Sequence, residues 1–406
     1  MLKSWTLVSA ARVMSTAAQA ATLLVLARCL GPINFGQFAA VLGGLTALGF
    51  LADGGATAAV GRYHPQPATI VQILRAGRLL SIATLLISVP ALGAVAHASG
   101  SAVVSACLLL CAWVPLERQA EIAGAYLLAR GHEGLVGMAY LLRRVPALGA
   151  VLLVPVAPLP VFSVTMVTTA GLAVAVLGNQ VAAVTGQMSK RVRPDERWLD
   201  ALIPPRELWR LLRPFWMVVA GLGVRQVDVA VLGVAGGATA AGVFAPASRL
   251  VPALLLVPGI YTQLLLGRLS AGGQRLAASP VIGVAAGSAA AFVPLALLAD
   301  LWVPLLLGAA YAGSVDVIRV VVPSLVLAAV SSVFASALHA ADRSARVAVA
   351  VWTGATTTVF AIAVLGAAYG AVGAAVGVAV GYVVQLGLMA IFHRSRPQPR
   401  LRPALC

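Results

Sequence analysis

Acidic side chains are scarce in this chain. Its 406 residues hold 12 Asp and Glu against 28 Lys and Arg, and charged residues make up only 10%. A soluble globular domain carries about 25%, so a water-facing fold is excluded. Cysteine is nearly absent as well: Cys29, Cys107, Cys111 and Cys406 give no disulfide framework. Cys107 and Cys111 stand four apart on one apolar stretch, with no His or carboxylate at ligand spacing, which reads as small core residues. His64, His97, His132, His339 and His393 fall in loops or at helix ends, and none pairs with a carboxylate at zinc spacing. Aromatic residues are 6% of the chain, few for the acidic, aromatic-lined cavity that a carrier of cationic drugs needs. No Walker motif occurs. Gly221-Leu222-Gly223 lies inside an apolar run, without the strand or third glycine of a phosphate-binding loop. No cofactor and no metal is expected.

What the chain has in quantity is hydrophobic length. It is 61% hydrophobic with a mean hydropathy of +0.97. A helix of twenty residues spans roughly 30 Å, the thickness of a bilayer's hydrocarbon core. Apolar runs of that length between breakers predict an all-α polytopic membrane protein with about twelve spans. The first six are 5–27, 38–60, 79–96, 103–128, 135–156 and 162–188. The second six are 215–234, 243–266, 281–299, 315–338, 347–366 and 371–392. Ala18-Gln19-Ala20 looks like a signal-peptidase site, but Arg12 interrupts any h-region and the apolar run continues to Ala27, so an uncleaved first span is expected.

Charge then orients the spans. With both termini inside, twenty Lys and Arg fall in cytoplasmic segments and Arg28 alone falls outside. Those residues face anionic lipid headgroups, which accounts for most of the net charge of +16 without a nucleic-acid partner. The longest connection, 189–213, mixes Arg with Trp198, Leu199, Leu202, Leu208 and Leu212, as an amphipathic surface segment does. It divides the chain into a six-helix unit over 1–188 and a second over 214–392, with a basic tail at 393–406. A faint repeat supports the division. Gly36-Gln37-Phe38-Ala39 opens the second span and Gly242-Val243-Phe244-Ala245 opens the eighth, 206 residues later. Two copies starting on the same side imply a two-fold axis along the membrane normal. The outer loops, 28–37, 97–102, 157–161, 235–242, 300–314 and 366–370, are too short for a folded domain. In the last span Gly373, Gly377 and Gly381 form a small-xxx-small stripe that suits close helix packing.

Several stretches resemble one family, the polysaccharide-type (Wzx-like) flippases of the multidrug/oligosaccharidyl-lipid/polysaccharide (MOP) superfamily. Ala27-Arg28-Cys29-Leu30-Gly31-Pro32-Ile33-Asn34-Phe35-Gly36-Gln37-Phe38 is similar to that family's signature between its first two helices. Asp53-Gly54-Gly55 matches an acidic-glycine step, and Pro214-Phe215-Trp216 with Arg225 and Asp228 resembles the opening of the seventh helix. Leu306-Leu307-Gly308-Ala309-Ala310-Tyr311-Ala312-Gly313, followed by Arg319, resembles the loop before the tenth. The resemblance implies two six-helix lobes about a central cavity, working by alternating access. It implies a polyprenyl-pyrophosphate-linked glycan as cargo, moved to the outer leaflet of a bacterial cytoplasmic membrane, with polysaccharide polymerase or transferase partners within reach.

Charges inside the spans mark where such chemistry would occur. A charge at the bilayer centre costs on the order of 3 kcal/mol or more, so it faces protein or water. Seven arginines lie there, Arg12, Arg118, Arg143, Arg144, Arg225, Arg249 and Arg319, against Asp53, Glu117, Glu121 and Asp228. Arg12–Asp53, Arg118–Glu121 and Arg225–Asp228 are the expected pairs, the last on one helix face three residues apart. Arg143 and Arg144 have only Glu117 nearby. Guanidinium stays charged and grips phosphate oxygens in a bidentate fork. Arg12, Arg118, Arg143, Arg144, Arg225 and Arg249 are therefore the expected contacts for the carrier's diphosphate. Asp53 and Asp228 are the carboxylates placed to exchange H⁺ or Na⁺. A structural role in holding helices together is the competing reading for each pair. Three other functions fit parts of the pattern: a drug or lipid exporter on the same scaffold, a membrane-embedded glycosyltransferase or ligase, and a non-transporting scaffold. The short outer loops, holding only Asp300 and Asp316, speak against the enzyme.

Overall fold

The computed structural model describes residues 2–63, 67–129, 131–152, 160–190, 204–272, 276–341 and 343–395. Most of the expected linker, most of the basic tail, and Arg130 and Arg275 lie outside the described residues. Among those described there is no strand. The helices are α1 (Leu2–Asp53), α2 (Ala56–Tyr63), α3 (Pro67–Ser99), α4 (Ala102–Ala106), α5 (Leu110–Ala129), α6 (Glu133–Leu142), α7 (Val145–Leu152) and α8 (Pro160–Lys190). They continue as α9 (Pro205–Arg225), α10 (Asp228–Arg249), α11 (Leu256–Gly272), α12 (Ala278–Leu297), α13 (Ala299–Leu307), α14 (Ser314–Ala340) and α15 (Ser344–Arg394).

Eight helical stretches are long and apolar enough to cross a membrane. Leu79, Leu86, Val257, Leu297 and Phe360 project from them into the surroundings, as hydrocarbon-facing side chains do. This is a multi-pass membrane protein. Three of the stretches, Val8–Val60, Leu212–Thr262 and Ser344–Arg394, run 51 to 53 residues, enough for two passes each. All three reverse at a glycine with positive φ: Gly31 at 71°, Gly237 at 87° and Gly370 at 60°. An L side chain resists that conformation and glycine does not. Pro32 then starts the returning helix, where its missing N–H costs nothing. The reversal is visible in packing. Leu23 and Phe38 line one cavity, although a straight helix would hold them about 22 Å apart. The loops expected at 28–37, 235–242 and 366–370 are thus single-residue turns.

The glycine stripe of α15 packs its own hairpin. A Cβ on Gly377 would meet the backbone nitrogen of Ile362 at 2.8 Å, and one on Gly381 would meet the carbonyl of Gly354 at 2.8 Å. Small residues here allow backbone-to-backbone approach.

The two halves of the chain meet along the returning part of α1. Its residues Phe50 and Ala47 lie against Gly223, Gly43 lies against the Gln226 carbonyl, and Gly36 lies against Gly242. The repeated tetrapeptides therefore touch one another. Phe35, Phe38, Phe244 and Tyr311 belong to one buried cluster that draws on both halves. The Tyr311 hydroxyl donates to the Ala27 carbonyl at 2.9 Å, and Ser314 donates to the Val243 carbonyl at 2.7 Å.

Candidate anion site within the membrane

Most of the charged residues singled out in the spans stand where a helix is broken. Arg143 and Arg144 form the turn between α6 and α7, which splits the span expected at 135–156. Arg225 ends α9 and Asp228 begins α10, with Gln226 and Val227 as a turn between them. Arg249 ends α10, before a short tight helical turn over Val251–Leu255 that interrupts the span expected at 243–266. Asp53 ends α1 at the Gly54-Gly55 step. Arginine at a helix C-terminus and Asp228 at an N-terminus both complement the helix dipole. Broken helices buried in protein are how a membrane fold presents charge at depth.

The break between α9 and α10 overturns the expected Arg225–Asp228 pair. A turn separates them, so they do not share a helix face. Asp228 accepts from the backbone N–H of Val229 at 2.7 Å and from the Ser248 hydroxyl, and it pairs with Arg249 at 3.2 Å. Arg249 also donates to the carbonyls of Ala39 and Gln226 and to the Gln226 side chain. Its charge is fully engaged by protein. Arg225 instead donates to the Gln385 amide oxygen at 2.8 Å and lies 4.3 Å over the Tyr382 ring. Its Nε is buried without a partner.

In the first half, Arg118 pairs with Glu121 at 2.5 Å, as its spacing suggests, and lies 4.3 Å over the Phe50 ring. The expected Arg12–Asp53 pair is absent. The charged neighbours of Asp53 are Arg118 and Glu121, while Arg12 acts on Glu121, as Arg118, Arg143 and Arg144 also do. Asp53 accepts from the Thr57 hydroxyl through Oδ1, and its Oδ2 is buried without a partner. Its carboxylate sits at a C-terminus because Gly54 and Gly55 let the chain turn there, and Gly55 presses on the backbone of Trp216.

Arg144 pairs with Glu117 and lies 5.6 Å over the Trp113 ring. Arg143 is 7% exposed and has no hydrogen-bond or ion-pair partner among the described residues, only the Tyr140 ring at 5.6 Å. Its Nε is orphaned. Both arginines line a small, partly open cavity of about 50 Å³ with Gln19, Thr22, Phe38 and Trp113. Every lining residue belongs to the first half, so this cavity is not between the halves. Sequence reasoning named the two arginines but not the cavity; Gln19, Thr22 and Trp113 have no signature beyond lying in spans. Arg319 stands apart with Asp300 and Asp316, largely exposed. Among the described residues no cluster of His, Cys, Asp or Glu could hold a metal ion.

No protein-family model matches the sequence, and no curated protein matches it. Solved structures do match in fold. An inward-facing multidrug resistance MATE family transporter of the MOP superfamily superimposes with a TM-score of 0.70 at 14% identity, over 95% of this chain and 97% of that one. The lipid II flippase MurJ in an inward closed conformation gives 0.72 at 12% identity, over 96% and 88%. A Pyrococcus furiosus MOP superfamily transporter, described as having a binding pocket of reversed polarity, gives 0.67 at 16%, over 97% and 95%. The chain shares the fold of these three solved structures.

Proposed function

We propose that this protein flips a polyprenyl-pyrophosphate-linked oligosaccharide from the cytoplasmic to the outer leaflet of a bacterial cytoplasmic membrane, for cell-surface polysaccharide assembly. The observation that carries the reading is Arg143. A buried guanidinium with an unpaired N–H donor, beside Arg144 on a cavity wall, offers donors to an anion. A pyrophosphate supplies several acceptor oxygens, and guanidinium binds them in pairs. Arg144, held by Glu117, brings a second guanidinium to the same cavity wall. The apolar lining from Leu23, Phe38 and Leu42 suits the adjoining lipid. Asp53, with one unsatisfied oxygen, is the carboxylate that would take up H⁺ or Na⁺ as the halves move.

The test is leaflet transfer of lipid-linked glycan in proteoliposomes. Arg143→Ala should lower transfer at least tenfold with unchanged expression, and Arg143→Lys should restore part of it. Transfer at wild-type level in both Arg143→Ala and Arg144→Ala would overturn the reading. A second reading is export of drugs or other lipids, because the fold is as close to a multidrug transporter as to a lipid flippase. It predicts that cationic amphiphiles are carried and that Arg143→Ala improves their transport.

A further inference from the structure

The first turns of α9 carry a second basic feature that the cavity does not involve. Leu208, Leu212 and Phe215 on one face pack against Ala56, Ala59, Val60, Ile73 and Ile122 of α2, α3 and α5. The other face presents Arg206, Trp209, Arg210 and Arg213 outward, with Trp209 49% exposed. These positions recur at helical spacing, so three guanidiniums line about 10 Å of one face. None has an ion-pair partner among the described residues. Trp209 packs against Trp216, two turns further along the helix, with ring centroids 5.3 Å apart and the planes tilted by 55°.

The membrane-spanning stretch begins at Leu212, so this face sits where the chain enters the bilayer. Arginine and tryptophan alternate along this face, Arg206, Trp209, Arg210, Arg213 and then Trp216, which brings phosphate donors and amphipathic rings to the headgroup and glycerol level of a phospholipid. We propose that this face binds the headgroup of an anionic phospholipid. A soluble acidic protein would meet the arginines but leave the Trp pair without an apolar partner. The site also touches the contact between halves: the Trp216 indole N–H donates to the Leu51 carbonyl at 3.1 Å, two residues before Asp53. A lipid seated on Trp209 and Trp216 therefore braces α9 against the first half. This inference is independent of the flippase reading.

The test uses the full-length protein in nanodiscs of phosphatidylcholine with or without phosphatidylglycerol, followed by thermal unfolding and tryptophan fluorescence. Phosphatidylglycerol should raise the unfolding temperature and shift the emission. The triple variant Arg206→Gln, Arg210→Gln, Arg213→Gln should lose that response while matching wild type in phosphatidylcholine. Its affinity for short-chain phosphatidylglycerol in detergent should fall on the order of 100-fold. Trp209→Ala should weaken binding less and abolish the fluorescence change. An equal response to neutral lipid, an unchanged response in the triple variant, or full saturation by glycerol phosphate alone would overturn the proposal. Loss of stability by the variant in neutral lipid would also overturn it, because it would make the arginines structural.

Discussion

Asp228 lies three residues after Arg225 but bonds to Arg249, twenty-one residues on, its Oδ1 3.2 Å from the guanidinium. Both partners are nearly inaccessible, at 10% and 7% side-chain exposure. Breaking a buried pair strands the remaining charge at a cost of about 3 kcal/mol or more. Arg249→Ala should therefore lower the unfolding temperature in detergent sharply. Arg249→Ala combined with Asp228→Asn should recover part of the loss, and a double-mutant cycle by thermal unfolding measures the coupling.

Gly43 makes room for that pair. A Cβ there would stand 2.1 Å from Arg249 Nη2 and 2.2 Å from the Gln226 carbonyl. Gly43→Ala is expected to destabilise by about 2 kcal/mol through overpacking. Gly44→Ala, where a Cβ would meet nothing within 4 Å, is the control and should unfold like wild type.

Arg225 rests on an aromatic face, an interaction of about 1 to 2 kcal/mol when desolvated. Tyr382→Phe keeps the ring and should be well tolerated. Tyr382→Leu removes it and should lower thermal stability. If the two variants behave alike, the ring's electron face contributes nothing.

Asp53→Asn tests coupling. Thr57 can still donate to the amide oxygen, so folding should be preserved. Transfer of lipid-linked glycan should then continue down a cargo gradient but no longer respond to ionophores. Wild-type ionophore sensitivity in this variant would make Asp53 structural.

These predictions rest on features that were unevenly legible in the sequence. Hydrophobic run length marked the spans, and glycine or Gly-Pro marked the three hairpin reversals, because both signals are local. The tetrapeptides beginning at Gly36 and Gly242 were readable as a repeat, and their mutual contact follows from a two-fold axis passing between them. The break at Gln226 and Val227 was not legible. Neither residue is a helix breaker, and the turn is held by tertiary contacts, Arg249 on the Gln226 carbonyl above all. Missing that break produced the wrong partner for both Arg225 and Asp228. The Arg12–Asp53 pair failed for a related reason: equal depth in two helices says nothing about how each is rotated.

Gly43 and Arg249 are also 206 residues apart, the interval of the repeat, so equivalent positions of the two copies face each other and hold the smallest side chain and one of the largest. The two copies are consequently not interchangeable. A pairing of two first halves would leave a void at this level, and a pairing of two second halves would drive two guanidiniums together. This contact fits only one half of each kind, so the molecule's two-fold likeness stops at residues 43 and 249.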